Sequence, residues 1–194
     1  VVVYFSDVDS AGHANGPDSA QARDAVERVD ATVGDLVKKA RALRRNVNVV
    51  VVSDHGMSAV EKRIDFSADA DLSGCRASNE APMTMLYCRD PQRVYRELTS
   101  RTRDYRVYRK GRLPKHLHYE GNRRIGDLVV LPKGNFILTA TPPGDDDAKP
   151  VPALKGMHGY DPQGNSEMRG MLLGVGPAFR EGARVREALN VDVN

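Results

Sequence analysis

Two apolar runs in this chain end abruptly in acids and histidines: VVVYF leads into SDVDSAGHANGP, and VNVVVV leads into SDHGM. Valine-rich apolar runs of this length read as buried strands, such as a parallel sheet covered by helices requires. Polar groups directly behind such strands are delivered to the sheet rim, where open α/β folds carry their sites. Between the runs, Gly16-Pro17 is followed by Asp18, which can cap a helix with Gln21 reaching back from the third helical position. Val26, Val29, Val33, Leu36, Val37, Ala40 and Leu43 then recur at helical spacing, giving one apolar stripe to about Arg44. Lys38, Lys39, Arg41, Arg44 and Arg45 crowd the last turns, where cations suit the helix dipole. Strand, helix and strand make a βαβ unit.

The remainder reads as shorter elements. MTMLYC and YRVYR are expected as strands around a short helix at Pro91–Ser100, and RIGDLVVLPKGNFILTA as a hairpin turned at PKGN. TPPGDDDAKPVPALKG is a long polar loop, and MRGMLLGVG returns to a buried strand. The strands at Val1–Phe5, Val47–Ser53 and Met171–Val175 are expected to share one largely parallel sheet. The 194 residues, 40% hydrophobic and 28% charged, suffice for one buried domain or a large piece of a bigger one. No initiator Met precedes the opening strand, so the chain is expected to be an internal fragment. Net charge is +3 with both signs interspersed, which excludes a sharp nucleic-acid footprint. No apolar run approaches the roughly 18 residues of a membrane span. Cys75 and Cys88 fit no zinc knuckle and stay open as free thiols or one disulfide.

The chemistry gathers in three short motifs. Asp9 and His13 lie four apart, Asp54 and His55 are adjacent, and His158 stands in GMHGYDP between Gly156 and Gly159. Carboxylates mixed with imidazoles are the ligand chemistry that suits zinc. Two acid-histidine pairs and a further histidine exceed one tetrahedral ion and suggest two metals. Asp7, two before Asp9 and so on the same strand face, is a candidate for orienting a ligand, or a solvated acid. His116 and His118 sit among Lys115, Arg123 and Arg124, whose charge opposes a cation, so surface or phosphate-facing roles are expected. Asp145–Asp147 lack the glycine and glutamate spacing of a calcium loop and read as a solvated turn. Tyr160 borders the substrate pocket or packs beside its loop.

DVDSAGHANGP, VVVVSDHGM and GMHGYDP, in this order, resemble the nucleotide pyrophosphatase/phosphodiesterase (type I phosphodiesterase) family of the alkaline phosphatase superfamily. LPKHLHYEGNRRIGDLVVLPKG and MRGMLLGVGPAFREG resemble it too. The resemblance implies an alkaline-phosphatase-like α/β fold, with a central, mostly parallel sheet and helices on both faces. Residues 1–194 would be the C-terminal part of a single catalytic domain. It implies two zinc ions per active site, the first held by Asp9, His13 and His158. The second would take Asp54 and His55, completed in the family by an early aspartate and a threonine nucleophile. Neither is present: Thr32, Thr84, Thr99, Thr102, Thr139 and Thr141 all follow the D-x-x-G-H motif, whereas the family's nucleophile precedes it. No catalytic nucleophile is therefore assigned within this chain, and the chain alone is expected to be inactive.

The implied activity is hydrolysis of phosphodiester or pyrophosphate bonds in a small-molecule or nucleotide substrate, through a phospho-threonyl intermediate. An extracellular, periplasmic or membrane-anchored location goes with the family. Other hydrolases of the superfamily (phosphonate hydrolase, phosphomonoesterase, sulfatase) and a non-catalytic zinc-binding module remain as alternatives. Loss of His116 is expected to matter little beside loss of His158.

Overall fold

Neither motif-bearing run enters the largest sheet. The computed structural model describes residues 1–43, 45–101, 104–148 and 150–193. The elements are α1 (Asp7–Asn15), α2 (Ala20–Ala42), β1 (Val49–Val52), β2 (Ser58–Ala59), β3 (Lys62–Asp65), β4 (Cys75–Glu80) and β5 (Met83–Cys88). They continue with α3 (Pro91–Arg101), β6 (Tyr105–Arg109), β7 (Leu128–Pro132), β8 (Phe136–Thr139), β9 (Gly156–Met157) and β10 (Leu172–Val175). The expected Arg44 end of α2, Thr102, and Lys149 of the polar loop lie outside the described residues.

The core forms where alternation is cleanest. Strands β4-β5-β7-β6 make an antiparallel sheet in that order, with Leu86, Leu128 and Val130 fully buried on one face. Against that face α3 lays Val94 and Leu98, one helical turn apart and both fully buried. Each such side chain is worth about 1.5–3 kcal/mol of transfer free energy. Leu113, Tyr119 and Ile125, from the segment joining β6 to β7, cover the opposite face against Met85 and Val129. Thr84, buried in β5, bonds through its hydroxyl to Asn79 Oδ1 at 3.0 Å and Leu138 O at 3.2 Å.

Cys75 and Cys88 face one another in the β4–β5 register and are joined as a disulfide, which settles the alternatives the sequence left open. Closing a loop of 13 residues stabilises by about 3 kcal/mol in the chain-entropy picture. Reduction, or Cys88→Ser in the full-length protein, should therefore lower the thermal midpoint by several degrees. A midpoint insensitive to reductant would show that the bridge carries no stability.

Several sequence expectations change here. Val1–Phe5 forms no strand: Val1, Val2, Val3 and Tyr4 are exposed, and the chain enters helix α1 directly behind them. There is thus no βαβ unit. β1 pairs with β10 antiparallel, Val49 opposite Val175 through Val52 opposite Leu172, so these two strands do not run parallel as expected. Nor are they buried, since Val50, Val52, Leu172 and Leu173 stay about half exposed. α2 forms as its stripe predicts, but only Ala22, Ala25 and Ala40 are buried along it, and Val26, Leu36 and Leu43 are exposed. Its cap is Ser19 rather than Asp18: Ser19 Oγ accepts from Ala22 N at 3.1 Å. At PKGN the chain divides two sheets instead of turning a hairpin. β7 stays with β5 and β6, while β8 leaves to pair in parallel with β3. Lys133 N is taken by Asp104 O at 2.8 Å and Leu138 N by Pro82 O at 3.0 Å, which holds the two strands apart. No described helix is long and apolar enough to cross a membrane.

Candidate metal centre

Asp9 and His13 are delivered by a helix, not by a strand end. Their spacing is one helical turn, so both stand on one face of α1. The sequence carried that signal in the four-residue interval, which the apolar run before it masked. Asp7 and Asp9 lie in the first turn, where acids suit the dipole, and the helix stops at Gly16, whose φ of 95° ends the repeat. Asp7 does not share Asp9's face, because positions two apart on a helix diverge, and Asp7 is exposed. The strand-face argument for it therefore fails.

α1 is fastened to β9, the strand that leads to His158. Lys155 N donates to His13 O at 2.8 Å, and the His13 Nδ1–H donates to Gly156 O at 2.8 Å. This close approach needs glycine at 156: a Cβ there would stand 2.5 Å from Gly12 O and 2.6 Å from Met57 Sδ. The bond to Gly156 also fixes the tautomer of His13, leaving the Nε2 lone pair free to point inward.

Three donor atoms converge in front of that lone pair. His13 Nε2 and His158 Nε2 are 3.2 Å apart, and Asp9 Oδ1 is 3.4 Å from the first and 3.5 Å from the second. Asp9 Oδ1 is buried and accepts no hydrogen bond from any described residue. The side chains themselves are a fifth to a third exposed, so the cluster opens to solvent on one side. Ligands held about 2.0–2.1 Å from a tetrahedral zinc stand roughly 3.3–3.4 Å from one another. The triangle of Asp9, His13 and His158 fits that spacing, and these three are the metal-competent group found among the described residues. Burial, with His55 as the next cause, holds the His158 imidazole below its ordinary pKa against the opposing pull of Asp9. It is therefore neutral near pH 7, the form that ligates.

The second pair lies alongside. His55 follows β1, its ring stacked on His158 with centroids 3.5 Å apart and planes 16° off parallel. Its Nδ1–H donates to Gly56 O at 2.9 Å, leaving Nε2 at 3.5 Å from Asp54 Oδ2. Asp54 is 71% exposed, and no third described acid or histidine joins this pair in a group. Of the other residues the sequence singled out, Tyr160 packs with Ile137, Met157 and Met168 rather than standing open. Asp145 is tied down, its Oδ2 accepting from Ala77 N at 2.6 Å. His116 Nε2 lies 2.9 Å from Asp161 Oδ1, a contact that the sequence did not suggest.

Mixed helices and sheets carrying this cluster define an alkaline-phosphatase-like α/β domain, and the solved structure of human ectonucleotide pyrophosphatase/phosphodiesterase 5 superposes with a TM-score of 0.78. That match is 27% identical and covers 92% of this chain and 47% of the other. The chain belongs to the type I phosphodiesterase / nucleotide pyrophosphatase family, whose model matches residues 1–161. Mouse ectonucleotide pyrophosphatase/phosphodiesterase family member 7 is 30% identical over 206 residues, covering all of this chain and 45% of that protein. Human family member 5 is 31% identical over 197 residues, covering 97% and 39%. The chain thus spans less than half the length of these relatives.

Proposed function

We propose that the full-length protein is a metal-dependent phosphodiesterase acting on nucleotide diesters or pyrophosphates. In this reading Asp9, His13 and His158 hold one zinc ion, and Asp54 and His55 contribute to a second. The observation that carries it is the triangle of Asp9 Oδ1, His13 Nε2 and His158 Nε2. The three atoms face one another at 3.2–3.5 Å, the spacing of ligands around one tetrahedral ion, and the buried carboxylate oxygen among them takes no hydrogen bond from a described residue. Two relatives support the substrate class. A mouse protein named bis(5'-adenosyl)-triphosphatase is 29% identical over 200 residues. An inactive variant of mouse ectonucleotide pyrophosphatase/phosphodiesterase 5 was solved in complex with AMP, at a TM-score of 0.74 and 30% identity.

Bound zinc would supply Lewis acidity, neutralising the phosphoryl oxygens and ionising an attacking hydroxyl or water. The residues of this chain do the positioning. Gly156 O orients His13 and Gly56 O orients His55, each through Nδ1, so that both Nε2 atoms remain donors toward the site. Asp9 brings a formal negative charge to a partly sheltered position, and His158 stays neutral beside it. The nucleophile, a threonine by the family's pattern, would come from outside these residues. An oxidising location, extracellular or periplasmic, suits the Cys75–Cys88 bridge.

The test is turnover by the full-length protein of a bis-aryl phosphate or nucleotide 5'-aryl ester beside the matching monoester. Faster diester hydrolysis is expected, because two zinc ions without a third cation compensate a singly charged diester better than a dianion. Anomalous scattering at the zinc edge should place ions at the five ligands. A preference for monoesters or sulfate esters would move the protein to a sister family.

A further inference from the structure

His116 is the one histidine outside the cluster that reaches the segment carrying it. It lies in a short 3-10 turn, Lys115–Leu117, closed by Leu117 N on Pro114 O at 3.1 Å and His118 N on Lys115 O at 3.0 Å. His118 ends the turn in the left-handed region, with φ of 48°. On either side, Leu113 and Tyr119 are packed on the main sheet against Met85 and Val129. The turn that carries His116 is thereby seated on the face of the main sheet opposite α3.

From that seat the imidazole spans 45 residues of sequence to Asp161, with Nε2 at 2.9 Å from Oδ1 and both side chains about three-quarters covered. A carboxylate only accepts, so His116 Nε2 carries the hydrogen. The same Asp161 oxygen accepts Gln163 N–H at 3.0 Å, and Asp161 O accepts Gly164 N–H at 3.1 Å, which makes a local turn of the segment behind it. Two residues separate Asp161 from His158. Gly159 has φ of 86°, and Tyr160 is buried among Met157, Met168 and Ile137. His158 is thus held before by β9 and its pairing with Ser58–Ala59, and behind by Tyr160 and the His116–Asp161 bond. The next side-chain tie along the segment is Asn165, to Ser58 Oγ and Asn135 Oδ1, both at 2.8 Å.

We propose that His116 is a positioning residue for the metal centre, fixing through Asp161 the turn that aims His158 at Asp9 and His13. The inference rests on His158 being a metal ligand. Glycine at 159 adds no side chain to limit how the turn rotates, and Tyr160 sets depth but donates no hydrogen bond to any described residue. The charge-assisted bond at Asp161 is the directional restraint nearest to His158 on that side. Without it, the triangle of donors keeps its members and loses part of its preorganisation.

Zinc retention by the full-length protein, measured by competition against a chromophoric chelator, separates this from a purely structural tie. His116→Ala should weaken zinc binding by about tenfold, the low end of the 10–100-fold that loss of an outer partner costs. The metal-free thermal midpoint should stay near the wild-type value, and the visible spectrum of the cobalt-substituted variant should change. His116→Gln, whose amide nitrogen can occupy the place of Nε2–H, should recover most of the affinity. Asp161→Ala should match His116→Ala, and the double variant should lose no more than either alone. Zinc held by His116→Ala as tightly as by wild type overturns the inference, as does a glutamine variant no better than alanine. His158→Ala is the separate control: if it kept zinc, the ligand assignment itself would fall, whereas its loss of zinc beside an unaffected His116→Ala would sink the inference alone.

Discussion

His158→Ala in the full-length protein is expected to abolish zinc at the Asp9–His13 site and to cut diester turnover by more than the roughly 100-fold that upper-range outer-partner losses reach. The variant removes one of three donors from a triangle whose other two atoms, Asp9 Oδ1 and His13 Nε2, cannot close a tetrahedral site. Folding should be nearly untouched. His158 lies at the margin of the structure's apolar packing, and the main core is built by Phe66, Leu86, Val94, Leu98, Leu128 and Val130. With zinc in excess, kcat/KM and the metal-free thermal midpoint should therefore part company. A variant within tenfold of wild type, or one that lost activity only by unfolding, would contradict the assignment.

The second large effect needs no change of ligand. Gly156→Ala would place a methyl group 2.5 Å from Gly12 O and 2.6 Å from Met57 Sδ, and the first of these is backbone that cannot rotate away. α1 must then move off β9, at a cost of about 1–3 kcal/mol for overpacking of this kind. The movement carries Asp9 and His13 away from His158 and strains the His13 Nδ1–H bond to Gly156 O. Zinc content should fall with stability, although all five ligands remain. Gly34→Ala is the control: a Cβ there meets nothing within 4 Å, and alanine inside α2 should stabilise by up to about 1 kcal/mol. Gly156→Ala with wild-type zinc content and melting would show that the contact between α1 and β9 does not organise the site.

The three compact motifs supplied residue types that suit a metal, and the structure brings Asp9, His13 and His158 of them into one group. The elements that carry them were less legible. An apolar run such as VVVYF says that a segment can be buried; it does not say that a partner is at hand, and Val1–Phe5 finds none here. The direction of β1 against β10 depends on residues about 120 positions apart, and no local pattern encodes it. The PKGN turn failed as a hairpin for a similar reason, since β8 is claimed by β3 from far upstream. Two of the three α-helices fared better: α2 and α3 follow from i, i+4 repetition within one segment, and the capping error between Asp18 and Ser19 is one residue between two good caps, whereas α1 was hidden behind the apolar run before it. The Cys75–Cys88 pairing required knowing that β4 and β5 fold directly onto one another.

The bare ribbon of β1 and β10 has a practical corollary. Among the described residues each strand has one neighbour only, so each offers a free row of backbone donors and acceptors. VVVV and LLGV hold no charge and no proline, the two devices by which natural edges repel further strands. Short uncharged segments of high β-propensity are also the seeds of cross-β stacking. Produced by itself, this stretch should recruit its own copies edge to edge and precipitate as strand-paired aggregates, and a single lysine at Val50 or Leu173 is the smallest change that would act as a gatekeeper against it.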